Sequence, residues 1–347
     1  MTVSPAALAA LSAAVAAEIA LAARYLARVQ MPRPPVGVHT AGDTAVLSAG
    51  VVLAPLLYTA LPGAAVCALF GLVACLALQF TLAPLLAATR LRPAPWSWAA
   101  ALTATAATAL AALTGHPGAA RAGSDLVIAA AVVGVANLWA QSGMRSTHTA
   151  ALAAVLTGYD LAATTLTDTT ARFFAQVQDR PFAPVLALTG GPAPVAVGLG
   201  DLLLLVLYPL VAAKAHGRTA AATAALTGVL TTSAVSACFA AGWLTTGFPL
   251  LTALGPLIVA QHLYWRRRTG GERTTAQWRA GHPLPLSAPA PGEPDAALAA
   301  PVPDGTPPGS WLALADGRVL GTGPTPGRAR RDARRHGADT PTTARLV

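Results

Sequence analysis

Between residues 4 and 265 the chain returns nine times to an apolar run about as long as a bilayer is thick, at approximately 4–26, 45–61, 63–88, 96–114, 124–141, 148–167, 193–213, 219–245 and 247–265. A hydrocarbon core of roughly 30 Å needs about 20 helical residues, so each run is sized for a transmembrane helix. Continuous runs of this length satisfy their backbone polar groups in lipid only as helices. Composition agrees: 54 % of residues are hydrophobic, 11 % are charged and the mean hydropathy is +0.55, which excludes an ordinary soluble domain. The expected fold is an all-α polytopic membrane protein with nine transmembrane helices. A single kinked segment through Pro62-Gly63 would instead leave eight spans and reverse the N-terminus.

The first run is too long for a secretory signal, and Arg24 and Arg28 follow rather than precede it, so it is expected to stay as a helix. With nine spans, one set of alternate loops collects Arg24, Arg28, Arg33, Arg90, Arg92, Arg145, Lys214, Arg218, Arg266, Arg267 and Arg268, and the other only Arg121, Arg172 and Arg180. The positive-inside rule puts the first set in the cytoplasm, with the N-terminus outside and the C-terminus inside. Ala- and Arg-rich usage suits a bacterial chain, so the expected location is the inner (cytoplasmic) membrane, multi-pass, with the lipid bilayer as a partner. The formal charge of +9 then reports topology, and no nucleic-acid partner is expected. The sequence sets no oligomeric state.

Cys67, Cys75 and Cys238 lie in apolar runs without disulfide or metal spacing, and His116, His148, His216 and His262 are scattered at span ends. No metal or cofactor is expected. Trp96, Trp98 and Trp265 fit an interfacial aromatic belt, and Pro32-Arg33-Pro34-Pro35 a stiff connector. Residues 1–265 make the membrane core and 266–309 a Pro/Gly/Ala-rich linker, with 310–347 as a small basic module or a disordered tail. In the module reading of this cytoplasmic tail, Ser310–Ala315 and Arg318–Gly321 flank the hairpin signal Asp316-Gly317, and 327–336 forms a short Arg-rich helix.

Four acids fall within or at the edge of spans: Glu18, Asp125, Asp160 and Asp201. A mid-helix acid costs about 2.5–3.5 kcal/mol on insertion scales, so each asks for a reason. Asp125, after Ser124, is expected at a helix N-terminus in interfacial water. Glu18 is expected either to pair with Arg24 or to be a protonated, hydrogen-bonded acid. Asp160 and Asp201 sit in consecutive, antiparallel spans. Counted inward from positions 167 and 193, they lie roughly 10 and 12 Å from the shared loop. Two acids meeting in a low-dielectric site cannot both ionise, so the pair tends to share one proton, which provides an acid and a base in one place. Such a pair can activate water against a peptide carbonyl, and it can equally serve a proton-coupled carrier. Thr164, Thr165 and Thr167 near Asp160 are expected to hydrogen-bond within the bundle without a catalytic role.

Asp160 follows Gly158-Tyr159, and Asp201 closes Gly198-Leu199-Gly200-Asp201, whose glycines permit close backbone approach. These residues resemble the presenilin and signal peptide peptidase family of intramembrane aspartyl proteases, which carry Tyr-Asp in the sixth span and Gly-x-Gly-Asp in the seventh. The family's Pro-Ala-Leu element in the ninth span is approximated by Pro256-Leu257-Ile258, with Leu257 in place of Ala and a depth of roughly 13 Å counted from position 247. The resemblance implies catalytic Asp160 and Asp201, and a cleft shaped by Tyr159, Gly198, Leu199, Gly200, Pro256 and Leu257. It also implies an aspartic endopeptidase with no cofactor, acting on transmembrane-helix proteins whose N-terminus is cytoplasmic. A non-proteolytic carrier or scaffold using the pair as a proton site is the competing class. Prepilin peptidases share Gly-x-Gly-Asp but fit the Tyr-Asp and the late Pro-containing span poorly.

Overall fold

The computed structural model describes residues 5–31, 39–87, 93–189, 195–244, 250–282, 284, 302–303, 305–315, 318–338 and 342–345. The Pro32–Pro35 connector, Arg90, Arg92, most of the linker and the Asp316-Gly317 turn lie outside the described residues. The chain divides into two compact units, Met1–Pro285 and Leu286–Val347.

A helix occupies each of the nine apolar runs of the first unit: α1 (Pro5–Arg28), α2 (Ala41–Thr59), α3 (Gly63–Ala87), α4 (Pro93–Leu113), α5 (Pro117–Gln141), α6 (Ser146–Leu161), α8 (Leu199–His216), α9 (Arg218–Ala240) and α10 (Leu250–Thr269). Two short helices are added, α7 (Thr169–Val177) and α11 (Thr275–Arg279), with a strand pair β1 (Val185–Ala187) and β2 (Ala196–Gly198). Seven of these helices, α1 to α5, α8 and α9, are long and apolar enough to cross a membrane. The chain is thus a helical polytopic membrane protein. α2 and α3 are separate helices parted at Pro62, where α2 ends in a turn and Gly63 starts α3. α6 is interrupted: a π-turn (Ala162–Leu166) follows Leu161, and the helix axis bends by 85° into α7. α10 places Arg266, Arg267 and Arg268 in its last turn, which shortens its apolar stretch.

α8 is the central helix. From Leu202 to His216 all but two of its residues are buried, and α1, α5, α6, α9 and α10 all pack on it. Lipid tails are as apolar as leucine, so helices in a bilayer associate through close packing and polar contacts. Both occur here. Gly134 lets α5 lie against Thr81 of α3, and Gly255 lets α10 lie against Thr157 and the Ala153 carbonyl of α6, where a Cβ would collide in each case. Across the α1–α5 contact, Asn137 Nδ2 donates to the Ala22 carbonyl at 3.2 Å and Gln141 Nε2 to the Val29 carbonyl at 3.0 Å. Gln141 Oε1 in turn accepts from Met31 N at 3.0 Å. α2 starts with a capping box: Asp43 accepts from Thr40 N at 2.7 Å, and Thr40 Oγ1 accepts from Asp43 N at 3.2 Å.

Several expectations change. α8 starts at Leu199, after a strand, so a helical count of depth from 193 does not hold. α5 starts at Pro117 rather than 124, which puts Asp125 eight residues inside the helix instead of at its N-terminus. Lys214 is not a loop charge: it is buried, and its Nζ donates to the carbonyls of Ala140 and Met144 and to Thr275 Oγ1 at 2.7, 2.5 and 2.8 Å. It serves as the cation at the C-terminal end of α5, where peptide dipoles leave carbonyls exposed. Trp265 is buried and donates to Thr223 Oγ1, while Trp96 and Trp98 are exposed as a belt requires. Glu18 is buried without an ion pair to Arg24. Its Oε1 has no hydrogen-bond partner among the described residues.

The second unit is a small ββαβ module. β3 (Trp311–Ala315) pairs antiparallel with β4 (Arg318–Gly323) and with β5 (Thr342–Arg345), in the order β4-β3-β5. α12 (Pro326–Arg335) covers one face, capped by Thr325 with Pro326 in its first turn. Ala313, Ala329, Ala333 and Ala338 form its small core. The expected hairpin and Arg-rich helix are present, and β5 is an addition.

Candidate active site

Three helix ends meet at the proposed pair. Asp160 is the penultimate residue of α6, just before the π-turn, and Asp201 is the third residue of α8. π-turns recur at functional sites because they turn side chains out of the regular α-helical rows. Here Thr165 Oγ1 and Thr167 Oγ1 donate back to the carbonyls of Leu161 and Ala163 at 2.6 and 3.0 Å, which helps satisfy backbone groups where the ladder changes pitch.

Each acid sits on the N-terminus of a helix. The Asp201 carboxylate accepts from the backbone N–H of Gly198, the N-cap of its own helix, and folds back so that its Oδ2 would stand 2.9 Å from a Cβ at 198. Asp160 accepts from the backbone N–H of Leu251 in the first turn of α10. These are the N–H groups a helix leaves without internal partners, at its positive dipole end. The two carboxyls are partly buried and lie within electrostatic reach of each other. Each helix N-terminus favours negative charge on the acid it holds, and the charge of either acid disfavours that of the other.

The strand pair borders this site. Its register sets Val185, Leu186 and Ala187 opposite Gly198, Val197 and Ala196. Leu199 N donates to the Pro184 carbonyl and Leu188 N to the Val195 carbonyl, each at 2.9 Å, so residues 184, 186 and 188 hydrogen-bond across the pair while 185 and 187 turn outward. The outward N–H of Ala187 is taken by Asp125 Oδ1 at 2.9 Å, and Phe182 N donates to Ser124 Oγ at 2.9 Å. Asp125 therefore fastens β1 to α5. The same alternation aims the backbone groups of Ala196 at the outer edge of β2.

Of the cleft residues expected from sequence, Tyr159 adjoins Asp160, and Gly198, Leu199 and Gly200 form the entry to α8. Gly158 and Gly200 are exposed, with open space where a Cβ would stand. Pro256 and Leu257 lie further down α10, about 7–9 Å below Leu251. Pro256 is exposed, and Leu257 lines a small gap between α8, α9 and α10 with Leu204 and Tyr208. The α10 residue that reaches the pair is Leu251. Sequence reasoning missed the role of Asp125, although Pro117 in the first turn of α5 signals the earlier helix start. It also missed that His216, His262 and Glu272 come together at the other end of the bundle. No family model, curated protein or solved structure matches the chain.

Proposed function

We propose that the chain is an intramembrane aspartyl protease of the presenilin and signal peptide peptidase type, with a nine-span core in which α6 and α10 also cross the bilayer. The orientation is N-terminus outside and C-terminus inside a bacterial inner membrane. The observation that carries this reading is that Asp160 and Asp201 lie within electrostatic reach of each other, each held by a helix N-terminal N–H, beside the outer edge of β2.

In this mechanism the ionised carboxylate takes a proton from water while the resulting hydroxide bonds to the scissile carbonyl carbon. The protonated carboxyl gives its proton to the carbonyl oxygen. The tetrahedral adduct then breaks at its C–N bond: the amine nitrogen takes a proton from the first acid, and the adduct hydroxyl returns one to the second. A scissile helix must be unwound before its peptide bonds can be reached, and Ala196 on the β2 edge offers the extended chain a hydrogen-bonding partner. The open faces at Gly158 and Gly200 leave room for that chain.

The test is labelling of the solubilised protein by a photoreactive peptidic probe whose hydroxyl mimics the tetrahedral intermediate. Labelling of the wild type that is lost in both Asp160→Asn and Asp201→Asn supports the reading. Absence of labelling in folded wild-type protein turns it toward a proton-coupled carrier. One observation favours that second reading: Glu18, Asn137 and Tyr208 all bury polar atoms that have no partner among the described residues. It predicts pH-gradient-driven flux in liposomes.

A further inference from the structure

About 22 Å along α8 from Asp201, at the other end of the same three helices, a second group of chemistry-bearing side chains converges. His216 ends α8, His262 lies in the second half of α10, and Glu272 follows the turn after α10. One ligating atom from each lies within 4.8 Å of the others. Both imidazoles are more than nine-tenths buried, with 2 % and 4 % exposure.

The hydrogen bonds around them prepare the free nitrogens. His216 Nδ1 meets Thr269 Oγ1 at 3.0 Å, and that hydroxyl also contacts the carbonyls of Trp265 and Gly271 at 2.8 and 2.6 Å. A hydroxyl has one proton, and the carbonyls can only accept it, so Thr269 Oγ1 accepts from His216 Nδ1–H. That fixes the tautomer and leaves Nε2 of His216 as a bare lone pair. This nitrogen is buried and has no hydrogen-bond partner among the described residues. His262 Nδ1 is engaged by Ser146 Oγ at 2.8 Å, which leaves its Nε2 for a ligand. Glu272 is held by Thr147, whose N and Oγ1 donate to its Oε2 and Oε1 at 3.2 and 3.0 Å, and each carboxylate oxygen keeps a lone pair.

We propose that His216 Nε2, His262 Nε2 and the Glu272 carboxylate form a site for one divalent metal ion of the Zn2+ class, tying α8 to α10 at the end opposite the aspartates, with Ser146 and Thr147 of α6 orienting two of the ligands. Two imidazoles and a carboxylate, each oriented by a hydroxyl or backbone partner on its far side, are the donor set and outer shell that zinc selects. Tetrahedral Zn2+ with bonds of about 2.0–2.2 Å needs donors roughly 3.3–3.5 Å apart, a closure that side-chain rotation supplies. Lys214, a buried cation in the same last turn of α8, turns its Nζ to the carbonyls of Ala140 and Met144 and to Thr275 instead of the carboxylate. The partly exposed Glu272 leaves a fourth position for water. A metal cross-link supplies what lipid does not: a directional bond holding the registry of α8, which carries Asp201, against α10, whose Leu251 N–H holds Asp160.

The test is titration of full-length, tag-free, detergent-solubilised protein with Co2+, followed by its visible tetrahedral bands, and displacement by Zn2+. The expected result is one equivalent bound to the wild type, lost in His262→Gln and in Glu272→Gln. Thr269→Val, which leaves all three ligands in place and removes the hydroxyl that orients His216, weakens binding about 10–100-fold. Zn2+ raises the melting temperature of the wild type and not of Glu272→Gln. No stoichiometric binding by folded wild-type protein, or binding unchanged in both ligand variants, overturns the proposal. The readout does not depend on proteolysis, so it fails or succeeds apart from the protease reading.

Discussion

α8 carries an acid at its first turn and a cation and an imidazole at its last, and the two ends meet their polar groups differently. At the Asp201 end the carboxyl has one backbone donor and an acid for a neighbour, beside exposed glycines and the outer edge of β2. At the Lys214 end the ammonium is buried and spends all three protons on Ala140, Met144 and Thr275. Arg273 closes the same end by donating to the carbonyls of Lys214 and Ala213 at 3.1 and 3.4 Å. A group with every hydrogen bond satisfied internally holds structure together. Groups with capacity left over, next to an opening, are available for a ligand or a reaction.

The largest effect that tests this contrast is at the acids. Asp201→Ala and Asp160→Ala should each lower cleavage of a helical reporter at least about 100-fold, the scale of acid–base catalysis. Stability should change by less than about 1 kcal/mol, since Asp201 contributes only a helix cap. Reporter turnover and thermal melting of the same samples check both halves, and a fully active Asp201→Ala protein breaks the comparison. Lys214→Met should do the opposite. It orphans two buried carbonyls, which costs about 2 kcal/mol in denaturation measurements while turnover per folded molecule is kept. Loss of turnover without loss of stability would make both ends functional.

Asp125→Ala comes next. It frees the Ala187 N–H that fastens β1. Losing one hydrogen bond of about 1 kcal/mol should raise KM about fivefold with little change in kcat, if β2 holds substrate. An unchanged KM separates the strand pair from substrate binding. The smallest effect concerns pH. His39, outside the helices, is held below its ordinary value of 6.5 first by burial and then by His148, with the charge of Asp43 opposing. The unfolded chain then takes up a proton that the folded one refuses, so this contribution is full above about pH 6.5 and is lost as pH falls from there. Melting across that range should show His39→Gln slightly less acid-sensitive than the wild type.

Seven helices long and apolar enough to cross a membrane were legible because hydrocarbon thickness imposes a length on an apolar run, and the acid pair because charge in such a run is costly. The start of α8 was not. Val195 and Val197 are as apolar as a helix requires, and only pairing with β1 makes 196–198 a strand. Lys214 looks like a loop charge in sequence because the carbonyls that take its protons, those of Ala140 and Met144, belong to residues some 70 positions earlier. His216, His262 and Glu272 follow no metal-binding spacing. They are joined by the packing of α10 against α8 and α6, a contact set by Gly255 and Thr157 as much as by hydrophobicity. The sequence by itself determined what must be in the membrane and which acids are anomalous there, since both follow from the cost of transferring single residues and segments into lipid. Only the tertiary structure decided which polar groups face which partners, because hydrogen bonds and ligand sites depend on distances between helices that no local pattern encodes.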